Sequence, residues 1–135
     1  VRDEFAATGH AVTLAPGPAP RVRGDAPRLQ QVTLNLLLNA RDAMPDGGRI
    51  EVVVACDASR ATLVVRDEGT GLADPHLAHA FEPFWTTKDR GSGLGLAVSR
   101  RIARAHGGEL TLANRTDGRG AEAVLALPRD HPGEA

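Results

Sequence analysis

At 135 residues and 14.2 kDa, with 41% hydrophobic and 24% charged residues, the chain suits one domain with a substantial apolar core. A formal charge of -1 gives no case for a nucleic-acid or anionic-membrane surface, and no apolar run approaches the length of a membrane-spanning helix. The single cysteine, Cys56, excludes an internal disulfide framework and reads as a core thiol in a reducing compartment.

Residues 1–9 are short and charged and read as a residual linker or the end of a preceding helix; an opening on Val1 instead of Met is expected of a piece cut from a longer protein. The domain itself is expected over 10–129, with 130–135 as a charged tail. Residues 10–15 and 21–24 predict two short strands joined by a turn carrying Pro16, Pro18 and Pro20. Asp25 and Pro27 then mark a helix start, since Asp caps free N–H groups and Pro is tolerated in the first turn. The helix should run to about Met44.

That helix is apolar around most of its circumference, through Leu34, Leu36, Leu37, Leu38 and Ala40, which predicts burial on several sides. Gln31, Asn35, Asn39 and Asp42 nevertheless fall at i, i+4, i+8 and i+11, a single polar stripe. A buried amide without hydrogen bonds costs about 1–3 kcal/mol. Two readings satisfy the stripe: a bound ligand or ion, or a closed network inside the core.

The turn Pro45-Asp46-Gly47-Gly48 leads into two β-rich runs, 49–56 and 61–68, with the spacing of a hairpin. The second run ends in Asp67-Glu68-Gly69-Thr70-Gly71-Leu72, an acid at the C-terminal end of a strand followed by two turn glycines. This is either a ligand-facing carboxylate or a plain turn with Asp67 solvated. Asp74 and Pro75 predict a short helix through His79.

Residues 81–108 join a segment with Phe81, Phe84 and the lone Trp85 to Gly91, Gly93 and Gly95, and then to an amphipathic helix ending near His106 before Gly107 and Gly108. Glycines at a helix N-terminus expose backbone N–H groups to an anion, and no side chain blocks the approach. Neither the P-loop pattern nor the strand-first dinucleotide pattern is met. The preceding segment reads as a mobile flap with cationic ends, Lys88 and Arg90. Residues 108–115 and 123–128 supply two further strands around a turn at 117–120. The predicted class is α+β, a two-layer α/β sandwich with a mixed, mostly antiparallel sheet and its helices on one face.

Four separated motifs, NLLLNARDAM, DEGTGL, FEPFWTTK and GSGLGL, occur in an order that resembles the ATP-binding catalytic domain of sensor histidine kinases, in the superfamily shared with gyrase, a heat-shock chaperone and mismatch-repair ATPases. The resemblance spans roughly residues 24–128 and implies a Bergerat-type fold in which ATP and Mg²⁺ sit under a flexible lid. It implies that Asn39 ligates Mg²⁺, with Asn35 one turn earlier facing the same phosphates and Asp42 further along the helix. Asp67 would accept from the adenine amine, with Gly69, Gly71 and Leu72 alongside the base. Gly91, Ser92, Gly93, Leu94, Gly95 and Leu96 would wrap the phosphates, and Phe81 and Thr87 would complete the nucleotide pocket. Phe81, Phe84 and Trp85 would anchor the lid, by packing in the simplest case. Lys88 and Arg90 would either reach the terminal phosphate or remain solvated lid charges.

The activity so implied is transfer of the ATP γ-phosphoryl group to a histidine on a separate dimerisation domain, and from there to a response-regulator receiver domain. The full-length protein would be a homodimer, cytoplasmic or the cytoplasmic part of a membrane-anchored sensor, and this fragment a monomer. A self-contained ATPase and a regulatory nucleotide-binding module are the alternatives. Two departures stand out. Ala121 and Ala123 occupy positions where the family's last strand carries a threonine and a bulky apolar residue. None of His10, His76, His79, His106 and His131 has the context of a phosphoacceptor histidine, and the His76/His79 pair reads as helix surface, not a metal site.

Overall fold

The computed structural model describes residues 2–15, 17, 19–82 and 95–130, without the side chains of 2–4 and 76. The flap, including Phe84, Trp85, Thr87, Lys88, Arg90, Gly91, Ser92, Gly93 and Leu94, lies outside the described residues. Nine elements follow in order among those described: α1 (Arg2–Ala7), β1 (His10–Leu14), α2 (Ala26–Asp42), β2 (Gly48–Cys56), β3 (Arg60–Arg66), α3 (Asp74–His79), α4 (Gly95–Ala105), β4 (Glu109–Asn114) and β5 (Ala121–Pro128).

The strands form one sheet in the order β1-β2-β3-β5-β4. β1 runs parallel to β2, the connection between them carrying α2, and the other three pairings are antiparallel. Register decides which side chains share a face. Val52, Val65, Ala123 and Leu112 stand opposite one another in one row across the sheet, flanked by Ile50, Leu125 and Leu110. Together with Phe5, Val32, Leu36, Leu37, Ala40, Ile102 and Ala103 from the helices they make one cluster, buried except for half-buried Leu112 packed against it. On the opposite face, Glu51, Arg66 and Glu122 form another row, and Arg66 bridges both acids at 3.1 and 3.0 Å. The expected helix-on-sheet layers and mixed sheet are therefore found.

One expectation is corrected. Residues 21–24 form no strand: Val22 packs on the core and Arg23 pairs with Asp130, but among the described residues the segment's backbone bond to a distant element is a single one, from the Asp130 N–H to the Arg21 carbonyl (2.7 Å), and one backbone bond is no ladder. α2 is buried on several sides, as its sequence predicts, but not on all. Val32, Leu36, Leu37 and Ala40 face the sheet and α4, while Leu34 is 41% exposed on the side that neither covers. The opening segment forms α1, whose Phe5 is 1% exposed in the core with the Arg41 guanidinium 5.3 Å from its ring.

α2 begins as its sequence predicts: the Asp25 carboxylate accepts from the Arg28 N–H (3.3 Å), capping the first turn. The far end of α4 is tied to the same point, where His106 Nε2 accepts from the Asp25 N–H (3.0 Å) and Nδ1 bonds the Ile102 carbonyl (2.8 Å). At its surface α4 is fastened to β4 by Glu109, which takes Arg100 and Arg104 at 3.2 Å. Arg104 foremost, then the Leu110 N–H, lower its carboxyl from 4.5 to about 2. A depressed acid stabilises the fold above its unfolded pKa and loses that contribution as pH falls through the folded one. In Glu109→Gln, the loss of thermal stability between about pH 4.5 and 2 should therefore be shallower than in the unmodified chain, as followed by circular dichroism melts.

Candidate functional site

The polar stripe of α2 joins two glycine-containing segments that are far apart in sequence. At one end, Asn35 Nδ2 donates to Ser99 Oγ (3.1 Å) and to the Gly95 carbonyl (3.4 Å), both at the start of α4. Ser99 is fully buried, so this pair fixes how α2 meets the α4 N-terminus. At the other end a β-carbon on Gly69 would come within 2.7 Å of the Ala43 carbonyl, so the loop after β3 lies against the end of α2. Asn35 and Ala43 are about 12 Å apart along the helix axis at 1.5 Å per residue. Half-buried Asn39 lies between them and Asp42 is exposed near the far end, with Arg41 at 3.7 Å.

Asp67 is the first residue past β3 and is 5% exposed. Its Oδ1 accepts from the Gly69 N–H (2.9 Å) and the Ala121 N–H (3.1 Å), and its own N–H donates to the Ala121 carbonyl (3.0 Å). No described residue donates to Oδ2, and no buried side-chain oxygen or nitrogen lacks a partner among the described residues. Oδ2 therefore keeps contact with solvent while the rest of the carboxylate is enclosed, and Oδ1 is held in place. The solvated-turn reading of this acid does not hold.

The loop that follows is held by the β4–β5 turn, which the motif pattern gave no reason to single out. Asn114 closes two hydrogen bonds on one residue, accepting the Leu72 N–H (2.7 Å) and donating to the Leu72 carbonyl (2.8 Å). Arg115 donates to the Asp67 carbonyl (3.1 Å) and Arg119 to the Gly69 carbonyl (3.0 Å). Gly120 (φ 115°) has no room for a β-carbon against the Asp67 carbonyl, and at Gly71 (φ 80°) a β-carbon would meet Asn114 Oδ1 at 2.9 Å. What these glycines visibly admit is neighbouring protein.

Phe81, two residues past α3, has the Arg100 guanidinium 4.5 Å from its ring, beside a cleft of about 370 Å³ formed with Leu77, Ala78, Leu110 and Leu112. Phe81 and Leu96 both pack on the core, so packing is the role the structure displays for them. Among the described residues no group of three or more His, Cys, Asp or Glu side chains could hold a metal ion. No described helix is long and apolar enough to cross a membrane.

Residues 24–131 match the family described as histidine kinase-, DNA gyrase B-, and HSP90-like ATPase. The chain belongs to this family. ATP binding is the property that membership implies. Among curated relatives, sporulation kinase C of Bacillus subtilis is 38% identical over 79% of the chain, and the two-component sensor PprA of Pseudomonas aeruginosa 43% identical over 93%. The chain spans only 25% and 15% of those proteins. Among solved structures, the mycobacterial sensor histidine kinase MprB superposes with a TM-score of 0.78 at 32% identity, covering 95% of this chain and 86% of that one. The catalytic domain of the histidine kinase ThkA gives 0.83 at 27%, covering 94% and 84%. This histidine kinase-like ATPase domain thus pairs a solvent-contacting carboxylate oxygen with a polar helix face that ends at a helix N-terminus.

Proposed function

We propose that the domain binds Mg·ATP along the α2 stripe and donates its γ-phosphoryl group to a histidine on the dimerisation domain of a longer, homodimeric sensor kinase, for relay to a response-regulator receiver domain. The observation that carries the nucleotide's placement is Asp67, whose Oδ1 is spent on two backbone N–H groups while Oδ2 keeps contact with solvent. An acceptor there suits the exocyclic amine of adenine and opposes the carbonyl that guanine carries in its place. From Asp67 the stripe leads past Asn39 to Asn35 and the α4 N-terminus at Gly95, whose dipole favours the phosphates.

Mg²⁺ fits this donor set. A hard ion that keeps several waters and takes substrate phosphates needs few protein ligands, and the Asn39 amide oxygen would supply one. When bound, the ion would neutralise the phosphate charge. Asn35 orients the phosphate end through its fixed contact with α4, and Asp67 orients the base. Lys88, Arg90 and the lid glycines Gly91 and Gly93 belong to the same reading as phosphate contacts. A cytoplasmic site follows from the need for ATP and a receiver partner, with this chain alone a monomer.

Titration calorimetry with Mg·ATP, Mg·ADP and Mg·GTP tests the reading. Both adenine nucleotides should bind more tightly than Mg·GTP, and Asn39→Ala should weaken chiefly the Mg²⁺-dependent part of binding. Equal affinity for the adenine and guanine nucleotides, together with an Asn39→Ala variant indifferent to Mg²⁺, would overturn it.

A further inference from the structure

We infer that Asn114 is a positioning residue for nucleotide selection: its side-chain amide fixes the loop after Asp67 in its base-receiving shape before any nucleotide arrives. The inference rests on the nucleotide placement proposed above. A primary amide offers one acceptor and one donor about as far apart as those of a peptide unit, and Asn114 spends both on a single residue, Leu72, at 2.7 and 2.8 Å. Leu72 has no such pairing from the sheet, because β3 ends at Arg66 and β4 at Asn114. The side chain therefore gives Leu72, six residues past β3, the paired donor and acceptor that a strand neighbour would supply.

The rest of the β4–β5 turn fastens the other loop carbonyls. Arg115 is itself held by Asp117 at 3.0 and 3.2 Å while it donates to the Asp67 carbonyl, and its N–H closes the turn on the Gly120 carbonyl (2.9 Å). Arg119 takes the Gly69 carbonyl. The loop's own sequence, with two glycines between Asp67 and Leu72, has little intrinsic preference for one shape. Order imposed beforehand lowers the entropy lost on binding, and a loop ordered around one base discriminates against another. Asn114 touches no reacting atom in this arrangement. Its effect passes through Leu72.

The test uses Asn114→Ala and Asn114→Asp, the second keeping an acceptor for the Leu72 N–H but turning an oxygen toward the Leu72 carbonyl. Asn114→Ala should raise the Kd for Mg·ADP about tenfold and narrow the preference for Mg·ADP over Mg·GDP, with Asn114→Asp between it and the unmodified chain. By hydrogen exchange, the Leu72 amide should be protected in the nucleotide-free chain and exposed in Asn114→Ala, while the amides of Val65 and Ala123 keep their protection. A twofold or smaller change in Kd would overturn the inference, as would a Leu72 amide that exchanges freely in the unmodified chain. Equal losses for both nucleotides accompanied by faster exchange at Val65 and Ala123 would also overturn it, since that is general loosening. An unmodified chain that binds no Mg·ADP would overturn the proposed function and this inference with it, a result distinct from binding that the variants leave intact.

Discussion

Asp67→Asn should fold as the unmodified chain does and yet lose about a hundredfold in affinity for adenine nucleotides. The separation comes from the two oxygens having different partners. Oδ1 accepts from the Gly69 and Ala121 N–H groups, and an asparagine carbonyl can accept both in the same place. Its amide nitrogen then falls where Oδ2 was, presenting a donor to the adenine amine, another donor. Losing a hydrogen bond to a charged acceptor costs about 1.5–3 kcal/mol, and every 1.4 kcal/mol is tenfold in Kd. Asp67→Ala should behave differently, leaving two buried N–H groups unpaired at about 1–3 kcal/mol each, so that melting temperature and affinity fall together. Calorimetry beside thermal melts distinguishes the two. An Asp67→Asn variant that binds Mg·ATP as tightly as the unmodified chain would remove Asp67 from the base-recognition site.

The sequence made Asp67 legible because strand, acid and turn glycines are contiguous, and contiguous chemistry survives without knowledge of pairing. The stripe on α2 was legible for the same reason, as helical periodicity alone places Asn35, Asn39 and Asp42 on one side. Asn114 was not. Its role depends on β3 pairing with β5 and on the β4–β5 turn folding over the loop after β3, contacts that join residues 42 to 68 positions apart. No local pattern encodes these. Ser99 was hidden for a related reason: a serine within an amphipathic helix reads as ordinary until the neighbouring helix brings Asn35 to it. Leu34 shows the converse limit, since apolar residues over most of a helix's circumference predict burial on several sides without saying which, and among the described residues Leu34 stays 41% exposed. The proline-bearing segment before α2 misled in the same way, because strand propensity has no effect where no edge offers a ladder.

The second large effect expected is an absence of turnover. Hydrolysis needs a group that takes a proton from water as the γ-phosphoryl leaves, and in the nucleotide placement proposed above the position facing the phosphates is Asn35, an amide that cannot do so. Its nitrogen is committed to Ser99 and to the Gly95 carbonyl, which orients the side chain without lending it basicity. Gln31, a turn earlier, is uncharged as well. Asp42 is the one carboxylate on the stripe, and it stands beside Arg41 about 10 Å further along the axis, toward Asp67 rather than the α4 N-terminus. Positioning and charge stabilisation remain, and these suffice for transfer to an imidazole delivered in line by another domain. The bond from the γ-phosphorus to its bridging oxygen would break as the nitrogen–phosphorus bond forms, with ADP leaving. We therefore expect ATP turnover by this chain alone far below about 1 s⁻¹, the low end of ordinary enzyme rates, and no label retained on its own histidines. A histidine-bearing helical domain supplied in trans should acquire an acid-labile, base-stable phosphoryl group, slowly, because the effective concentration given by a tether is lost. Steady hydrolysis at or above about 1 s⁻¹ would favour a self-contained ATPase. Tight nucleotide binding with no transfer to its cognate histidine domain would leave a regulatory nucleotide module as the better reading.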